Sequence, residues 1–337
     1  MQSDLPTVGV IANPLSGRDV RRVAARGAIA TNQDKRNRIA RAVIGAVTAG
    51  ARRIVVMDEP FRIASGAIAD LKLDIELQTL DVGAKLSPDD TLRAAVAMRD
   101  MGVQVVIVLG GDGTNRMIAS VWPDVTLMPM STGTNNVFPT SIEPTIAGAA
   151  AGLVAAGRVD IETVAPRSKV VRVDVDGDPD VALIDAVHLV GDFVGNRMPY
   201  EPSCIRTLVL SRSEPAAIGV SAIGGLVRPC AGDADAGVVV ECGPGGMPLR
   251  APIAPGLYRT VPVISSRFVE LGETVQISPP GLLAYDGDRT HKITGSASAR
   301  VVRDGPRVVD VERAMSLAAA NGAFSTDDAA SGDQTLI

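Results

Sequence analysis

The sequence predicts an α/β domain with a parallel sheet at residues 1–157, followed by a β-rich domain at residues 158–304. The first prediction follows from apolar runs typical of buried strands, which alternate with helical patterns. The second follows from a change after Gly157, where short alternating segments are separated by Gly and Pro and no long helical pattern appears. Aromatic residues make up only 3% of the chain, so both cores must be built from Ala, Val, Leu and Ile.

In the α/β domain, strands and helices alternate along the chain. Residues 8–12 form the predicted first strand, a helix begins near Thr31 and ends before Gly50, and residues 53–57 form the next strand. This βαβ order calls for a parallel sheet. We further predict a helix at 63–70, a strand at 74–80 near the sheet edge, a helix from Ser87 to Gly102, strands at 104–109 and 125–130, a helix that can open at 115–121, and an Ala-rich helix at 145–156.

The second half is read as an antiparallel β domain that ends in a helix. The turn residues Asp176-Gly177-Asp178 predict a hairpin between strands at 170–175 and 181–190. Further strands are predicted at 205–211, 237–241, 261–265, 269–271, 274–278 and 291–302, and a final helix at 310–321. The polar tail at 323–337 is predicted to be disordered.

The central strand at 104–109 ends in a glycine-rich loop, Gly110-Gly111-Asp112-Gly113-Thr114. Ligands of open α/β sheets bind at the carboxyl ends of the strands, and glycines let a phosphate approach the backbone N–H groups. An acid among such amides repels the phosphate unless it holds a metal or accepts a proton, and phosphoryl transfer requires both roles. We therefore predict a catalytic Asp112. The alternative is that Asp112 caps the following helix and the glycines form a tight turn.

Two other loops follow apolar strands of the same predicted sheet. Asn13-Pro14-Leu15-Ser16-Gly17 offers an amide and a hydroxyl, and Thr132-Gly133-Thr134-Asn135-Asn136 offers neutral donors for ribose, phosphate or base edges. Because the carboxyl ends of parallel strands share one edge, we predict that all three loops line one cleft between the domains. The alternative for the second loop is a turn that caps the Ala-rich helix.

Tyr285-Asp286-Gly287-Asp288-Arg289 places two acids and an Arg around a glycine in the second domain. The Asp-Gly pair is typical of a hairpin turn. We also predict that Asp286 or Asp288 points into the cleft, beside an acceptor pocket carried by the β-rich domain.

Charge and composition exclude several classes of function. With 33 basic and 38 acidic residues the net charge is -5, so neither nucleic acid nor an anionic membrane is expected as a partner. No Lys stands in a G-x-x-x-x-G-K-[ST] loop, which excludes an ordinary P-loop. Three Cys without C-x-x-C spacing and two His argue against a zinc or His-rich centre. We see no signal peptide and no apolar run of roughly 18 residues, and so expect a cytoplasmic protein.

The motifs NPLSG, LGGDGT, STGTNN and YDGDR, in this order, resemble the superfamily of NAD kinases and diacylglycerol or sphingosine-type lipid kinases. Within it, MSTGTNNVFP and RNRIARAVIGAVTAG are most similar to the ATP-NAD kinase-like AcoX proteins, named for acetoin catabolism operons. The resemblance implies a Rossmann-like, NAD kinase-type first domain, an all-β second domain, and a C-terminal helix at 305–322 that returns to the first. It also implies ATP as phosphoryl donor and Mg²⁺ bridging Asp112 and the nucleotide phosphates.

The resemblance makes NAD the leading acceptor, with NADP as its product, and Asp112 the base or metal organiser. We assign nucleotide or substrate binding to Asn13, Ser16, Gly17, Gly110, Gly111, Gly113, Thr114, Thr132, Gly133, Thr134, Asn135, Asn136, Asp286 and Asp288. No side chains are assigned as a separate protein metal site, and a homo-oligomer is expected.

Three departures from the family pattern leave the acceptor open. Asn135-Asn136 stands where NAD kinases usually carry Asn-Glu or Asn-Asp, AAIGVSAIGG at 216–225 keeps glycines but few hydroxyls, and Asp288 stands where lipid kinases place a Glu. The alternatives are a kinase for a lipid or another small hydroxyl compound, and a non-catalytic nucleotide-binding regulator linked to acetoin catabolism.

Overall fold

The computed structural model describes residues 5–16, 30–69, 71–133 and 136–325 of the chain. Three residues of the predicted site, Gly17, Thr134 and Asn135, lie outside the described residues. The same holds for the predicted disordered tail from residue 326 onward.

The first half forms a parallel sheet with helices on both faces, which confirms the predicted α/β domain. Its elements are β1 (Thr7–Ala12), α1 (Asn32–Thr48), β2 (Arg53–Met57), α2 (Ile63–Ile68), β3 (Glu76–Leu80), α3 (Pro88–Asp100), β4 (Val105–Gly110), α4 (Asp112–Val121), β5 (Thr126–Ser131), α5 (Pro144–Ala155) and α6 (Ile161–Val164). Strands β3, β2, β1, β4 and β5 are neighbours in that order and all pair in parallel. Helices α1, α2 and α5 pack on one face, and α3 and α4 pack on the other.

Capping residues at the amino ends of α1 and α3 explain why the sequence predicted where these two helices begin. Thr31 and Asp34 form a capping box at α1, and Ser87 and Asp90 form one at α3, where Pro88 begins the first turn. Helix α4 begins earlier than its predicted segment, at Asp112, so the predicted catalytic residue is part of the first helical turn.

The second half consists of two antiparallel sheets, which confirms the predicted all-β architecture. Its strands are β6 (Val170–Val175), β7 (Asp178–Ala182), β8 (Asp185–Leu189), β9 (Ile205–Leu210), β10 (Ala236–Ala254), β11 (Leu257–Glu270), β12 (Thr274–Ile277), β13 (Gly281–Tyr285), β14 (Asp288–Ile293) and β15 (Ala297–Val302). One sheet has the order β11-β10-β9-β8-β13-β14 and the other β12-β15-β6-β7. Hydrophobic residues from both sheets, among them Val171 and Leu283, share one core cluster.

Two predicted strands were wrong in the same way, because each is interrupted by a turn that an aspartate organises. Residues 181–190 divide into β7 and β8 where the amides of Leu183 and Ile184 donate to Asp286. Residues 291–302 divide into β14 and β15 where the amides of Gly295 and Ser296 donate to Asp176. Conversely, the segments at 261–265 and 269–271 are parts of one strand, β11.

A helix, α7 (Val220–Val227), lies where the sequence pattern showed none. Its two glycines, Gly224 and Gly225, weaken the helical signal. They are required by packing, because a β-carbon on Gly225 would overlap the backbone of Glu214, and one on Gly224 would overlap Leu210.

The chain returns to the first sheet at its end, which confirms the prediction for the last helix. Strand β16 (Arg307–Val308) pairs in parallel with β5 and completes the six-stranded sheet. Helix α8 (Val311–Ala320) then places Ala314 and Ala318 in the same core cluster as Ala147 of α5. No helix of the described residues is both long enough and apolar enough to cross a membrane.

Small residues allow α1 and α5 to pack with their backbones almost in contact. A β-carbon on Gly148 of α5 would overlap the carbonyl oxygen of Ala42, and one on Gly152 would overlap that of Ala46. Close packing through small residues agrees with the prediction that the cores contain few aromatic residues. It also fixes α1, which carries a residue of the functional site described below.

We expect Gly148→Ala to lower the free energy of unfolding by about 2 to 4 kcal/mol, because the added methyl group forces two helix backbones apart. Gly66→Ala in α2 is the matched control, since its β-carbon would meet Arg36 only at an ordinary 3.5 Å. Alanine favours a helix, so Gly66→Ala should be neutral or stabilising by up to about 1 kcal/mol. Denaturant unfolding measures both, and equal effects would contradict the close-packing explanation.

Candidate functional site

The amino end of α4 is open toward the edge of the parallel sheet where β4 ends. Gly111 is the residue before the helix, and no side chain forms a capping hydrogen bond there. The amides of the first turn therefore keep the partial positive charge that binds anions at helix N-termini.

The Asp112 carboxylate does not cap its own helix, so the cap interpretation was wrong. It accepts hydrogen bonds from the backbone N–H groups of Val137, at 3.1 and 3.2 Å, and Phe138, at 2.9 Å. These amides belong to the loop that follows β5. Asp112 thus connects the glycine-rich loop to the second predicted loop. The residue as a whole keeps some exposure, but its carboxylate is buried.

The structure places described residues of all three predicted loops side by side. Asn13 Nδ2 donates to Thr114 Oγ1 at 2.9 Å, which joins the first loop to α4. Asn136 lies over Gly111, where a β-carbon would be 2.8 Å from Asn136 Oδ1. Asn136 Nδ2 also donates to Ser131 Oγ at 2.9 Å. The shared edge expected of parallel strands is therefore present, while the binding roles of these residues stay predictions.

The first loop is held in shape by its own Asn and by a buried lysine. Asn13 Oδ1 accepts from the amides of Leu15 and Ser16, and Ser16 Oγ donates to the Asn13 carbonyl. Lys35 is fully buried, and its Nζ donates to the carbonyls of Asn13 and Pro14, both at 3.0 Å. Lys35 was not predicted to be part of the site, although it stands four residues before the core residue Ile39 on the same face of α1.

In the loop after β5, the Thr132 hydroxyl is buried and has no hydrogen-bond partner among the described residues. Gly133 N donates to Ser131 Oγ at 3.4 Å, and Ser131 Oγ donates to the Gly133 carbonyl at 2.8 Å. The loop is thus a hydroxyl-stabilised turn, but the expectation that it caps the Ala-rich helix was wrong, because Glu143 accepts from the amides of Thr145 and Ile146 at the start of α5.

The two acids of the DGD turn have different environments. Asp286 is buried, and its carboxylate accepts from the amides of Leu183 and Ile184, both at 2.8 Å, and Asp185, at 3.2 Å. Asp288 has a side chain that is 46% exposed, and its Oδ2 is 3.4 Å from the position of a β-carbon on Gly113. Asp288 therefore borders the glycine-rich loop. Asp286 instead organises the β7–β8 turn, because its carboxylate accepts from the amides of that turn.

The electrostatics of the site centre on Asp112 and Asp286. Burial, and next the charge of Asp286, raise the pKa of Asp112 to about 7, while the amides of Phe138 and Val137 and the charge of Arg212 oppose this rise. Burial also raises the pKa of Asp286, although its backbone hydrogen bonds and Arg116 favour the charged form. Asp112 is thus a carboxylate that exchanges its proton near neutral pH.

Two arginines beside these acids were not identified from the sequence. Arg212 Nη2 donates to the Val137 carbonyl at 2.6 Å, and its guanidinium stands 5.8 Å from the Phe138 ring centre. Arg116, on α4, lies 3.7 Å from Asp288 and 3.5 Å from Asp180. Arg116 was detectable, because it is four residues after Asp112 on the same helix; Arg212 comes from the loop after β9 and had no local signal.

The residues at this edge fit a metal only together with a ligand that brings further oxygens. Within the part of the chain that the structure describes, no three His, Cys, Asp or Glu side chains are grouped to hold a metal ion. Mg²⁺ commonly takes one or two carboxylates and completes its shell with phosphates and water. The Asp112 carboxylate beside the uncapped amino end of α4 fits that arrangement.

Two family models match successive parts of the chain. The family model described as ATP-NAD kinase N-terminal domain matches residues 8–159, and that described as acetoin catabolism protein X C-terminal domain matches residues 169–304. The sequence is also 37% identical over 303 residues to acetoin catabolism protein X of Cupriavidus necator, a similarity that covers 84% of each chain.

Proposed function

Because the chain belongs to the acetoin catabolism protein X family and has an NAD kinase-like first domain, we propose that it is an ATP-dependent small-molecule kinase. It transfers the γ-phosphoryl group of ATP to a hydroxyl, with NAD as the leading acceptor, NADP as the product and the cytoplasm as its compartment. A second domain of acetoin catabolism protein X type suggests a role linked to acetoin catabolism.

The observation that carries this proposal is the position and pKa of Asp112. A carboxyl with a pKa of about 7 accepts a proton from a substrate hydroxyl more readily than an ordinary aspartate. It lies at an uncapped helix N-terminus, where backbone amides can hold phosphate oxygens. Base and phosphate site are therefore adjacent, as transfer between nucleotide and hydroxyl requires.

Asp112, together with the nucleotide phosphates, would hold Mg²⁺, which neutralises the negative charge that develops on the transferred group. Arg212 keeps the loop after β5 in place through the Val137 carbonyl and offsets part of the charge of Asp112. Asp288 borders Gly113 on the side of the second domain. We propose that it contacts the acceptor.

The proposal is tested by incubating the protein with γ-labelled ATP, Mg²⁺ and one acceptor at a time. NAD is the first acceptor, followed by diacylglycerol, sphingosine and small polyols. Transfer to NAD supports the leading assignment, and transfer only to a lipid or polyol supports the alternative acceptor. Nucleotide binding without transfer to any of these acceptors would contradict the proposed kinase activity.

A second candidate, a nucleotide-binding regulator without turnover, is favoured by one observation. The Asp112 carboxylate already accepts three hydrogen-bond contacts from the loop after β5, which is sufficient to explain its presence as a brace. A regulator of this kind would bind ATP and keep the brace, but it would show no pH-dependent transfer.

We expect the transfer rate to rise with pH through a midpoint no higher than about 7, because Mg²⁺ held at Asp112 favours the deprotonated carboxylate. The base is active when Asp112 has lost its proton, so the rate is low below the folded-state pKa and reaches a plateau above it. Arg212→Gln should move the midpoint upward, because Arg212 lowers the pKa of Asp112. Transfer rates from pH 5.5 to 9 measure this, and a flat profile would contradict a base with this pKa.

A further inference from the structure

A cavity of about 500 Å³ lies near the carboxyl end of α4, the end away from Asp112. Ser120 of α4 forms part of its wall, and the remaining wall comes from strands β6, β7, β12 and β15 of the second domain. Asp112 and Ser120 are eight residues apart, or about 12 Å along the helix axis. The cavity is therefore separate from the nucleotide loop.

One face of the four-stranded sheet carries both apolar and charged side chains. Val170 and Val181 on this face pack against Ile118 and Trp122 in a core cluster shared by both domains. Arg172 lies on the same face, opposite Val181 on one neighbouring strand and opposite Arg300 on the other, and both arginines line the cavity.

Arg172 and Arg300 stand directly opposite each other on neighbouring strands. Like charges at such a position repel and destabilise the sheet. Asp304 lies 3.3 Å from Arg172 and compensates that charge in part. The Arg300 guanidinium has no ion pair or hydrogen bond within the described ranges, and the residue is exposed and lines the cavity.

Two acids, Asp174 and Asp180, also line the cavity, and each already has partners of its own. Asp174 Oδ1 accepts from the amide of Gly177 in the β6–β7 turn, at 3.1 Å. Asp180 accepts from the Val181 amide at 2.7 Å and lies 3.5 Å from Arg116. The hydroxyls of Thr274 and Ser298, by contrast, make no hydrogen bond among the described residues, although both residues line the cavity.

We propose that this cavity binds a small metabolite through a carboxylate or phosphate group held between Arg172 and Arg300. Such a group accepts charge-assisted hydrogen bonds from both guanidinium groups and removes their mutual repulsion. The hydroxyls of Thr274, Ser298 and Ser120 supply neutral donors and acceptors for the rest of the molecule. The volume suits a small metabolite and is too small for a macromolecular partner.

Tryptophan fluorescence can report ligand binding at this cavity. The single tryptophan of the chain, Trp122, follows the last residue of α4 and stands two residues from Ser120. We would titrate the full-length protein with sodium succinate and, separately, with inorganic phosphate at constant ionic strength, and follow Trp122 fluorescence. A saturable change with succinate identifies a carboxylate ligand, and one with phosphate alone identifies a phosphate ester.

Arg300→Gln is the decisive variant, because Arg300 has no partner among the described residues whose loss would disturb folding. We expect its affinity for the effective anion to fall by at least about tenfold, the effect of losing one charge-assisted pair of hydrogen bonds. Arg300→Lys should keep part of the affinity. Arg313→Gln, at an exposed position of α8, removes the same charge elsewhere and should leave the affinity unchanged.

Phosphate bound at the amino end of α4 would persist in Arg300→Gln, so only the component that this variant loses belongs to the cavity. An unchanged affinity in Arg300→Gln would overturn the proposal. So would the absence of a saturable signal with both anions, or an equal loss in Arg313→Gln. None of these measurements requires kinase activity.

Discussion

Asp112→Asn is expected to lower the rate of phosphoryl transfer by about 10² to 10⁴-fold through loss of the general base alone. Loss of a metal ligand would add to this effect. The affinity for ATP should stay within about tenfold, or roughly 1.4 kcal/mol, because the amides at the amino end of α4 remain and a negative charge near the phosphates has gone.

The same variant should also change how stability depends on pH. The folded-state pKa of Asp112 is raised from 3.8 to about 7, so the folded protein binds this proton more tightly than the unfolded chain. Proton binding by Asp112 therefore stabilises the folded state. This contribution is complete below pH 3.8 and is lost as the pH rises through about 7. Between pH 5 and pH 8 the wild type should therefore lose about 2 kcal/mol relative to Asp112→Asn.

Three measurements on one preparation of Asp112→Asn distinguish a catalytic role of Asp112 from a purely structural one. They are denaturant unfolding at pH 5 and 8, the affinity for ATP, and the transfer rate. If Asp112 serves only as a brace, Asn loses part of the contact with Val137 and Phe138, and turnover in the folded fraction stays near normal. Full activity in Asp112→Asn would end the catalytic assignment. A collapse of turnover with intact nucleotide binding would exclude a purely structural role.

Local sequence was sufficient where a structural feature depends on neighbouring residues. The sequence predicted three features to within a residue or two: strand β4 with the glycines after it, the amino ends of α1 and α3, and the hairpin at Gly177. Their signals are periodicity, capping and turn chemistry, which act over a few residues.

Features that depend on distant partners were not predictable in the same way. The backbone groups that Lys35 binds lie more than twenty residues away, and those that Asp286 binds lie about a hundred residues away. Arg212 approaches Asp112 only because β9 ends beside the loop after β5. Charged residues such as Lys35 are expected to be exposed, because they are almost never fully buried unless they are paired. Only the fold shows that the Lys35 ammonium group is buried against backbone carbonyls.

Asp286 is the second residue from which a large effect is expected, and this effect concerns stability. Asp286→Ala leaves the buried amides of Leu183, Ile184 and Asp185 without acceptors. It also places Ala at a φ of 48°, a left-handed conformation that Asp and Asn tolerate better. We expect a loss of about 3 to 5 kcal/mol in the free energy of unfolding.

The chain contains a matched control for this substitution. Asp176 also has a positive φ, 56°, and its carboxylate accepts from the amides of Thr294, Gly295 and Ser296. Asp176 is exposed, so water can replace its carboxylate in Asp176→Ala. The loss there should be smaller by about 2 kcal/mol, and equal losses would show that burial is not the cause.

Asp286→Asn keeps the turn but removes the charge, and it tests the electrostatic coupling with Asp112. The amide oxygen still accepts hydrogen bonds, and Asn tolerates the left-handed backbone, so the variant should fold. Because the charge of Asp286 raises the pKa of Asp112, the midpoint of the pH–rate profile should move downward in this variant. Asp176→Asn should leave that midpoint unchanged. If Asp286→Asn also leaves it unchanged, Asp286 contributes to the turn alone, and the raised pKa of Asp112 comes from burial.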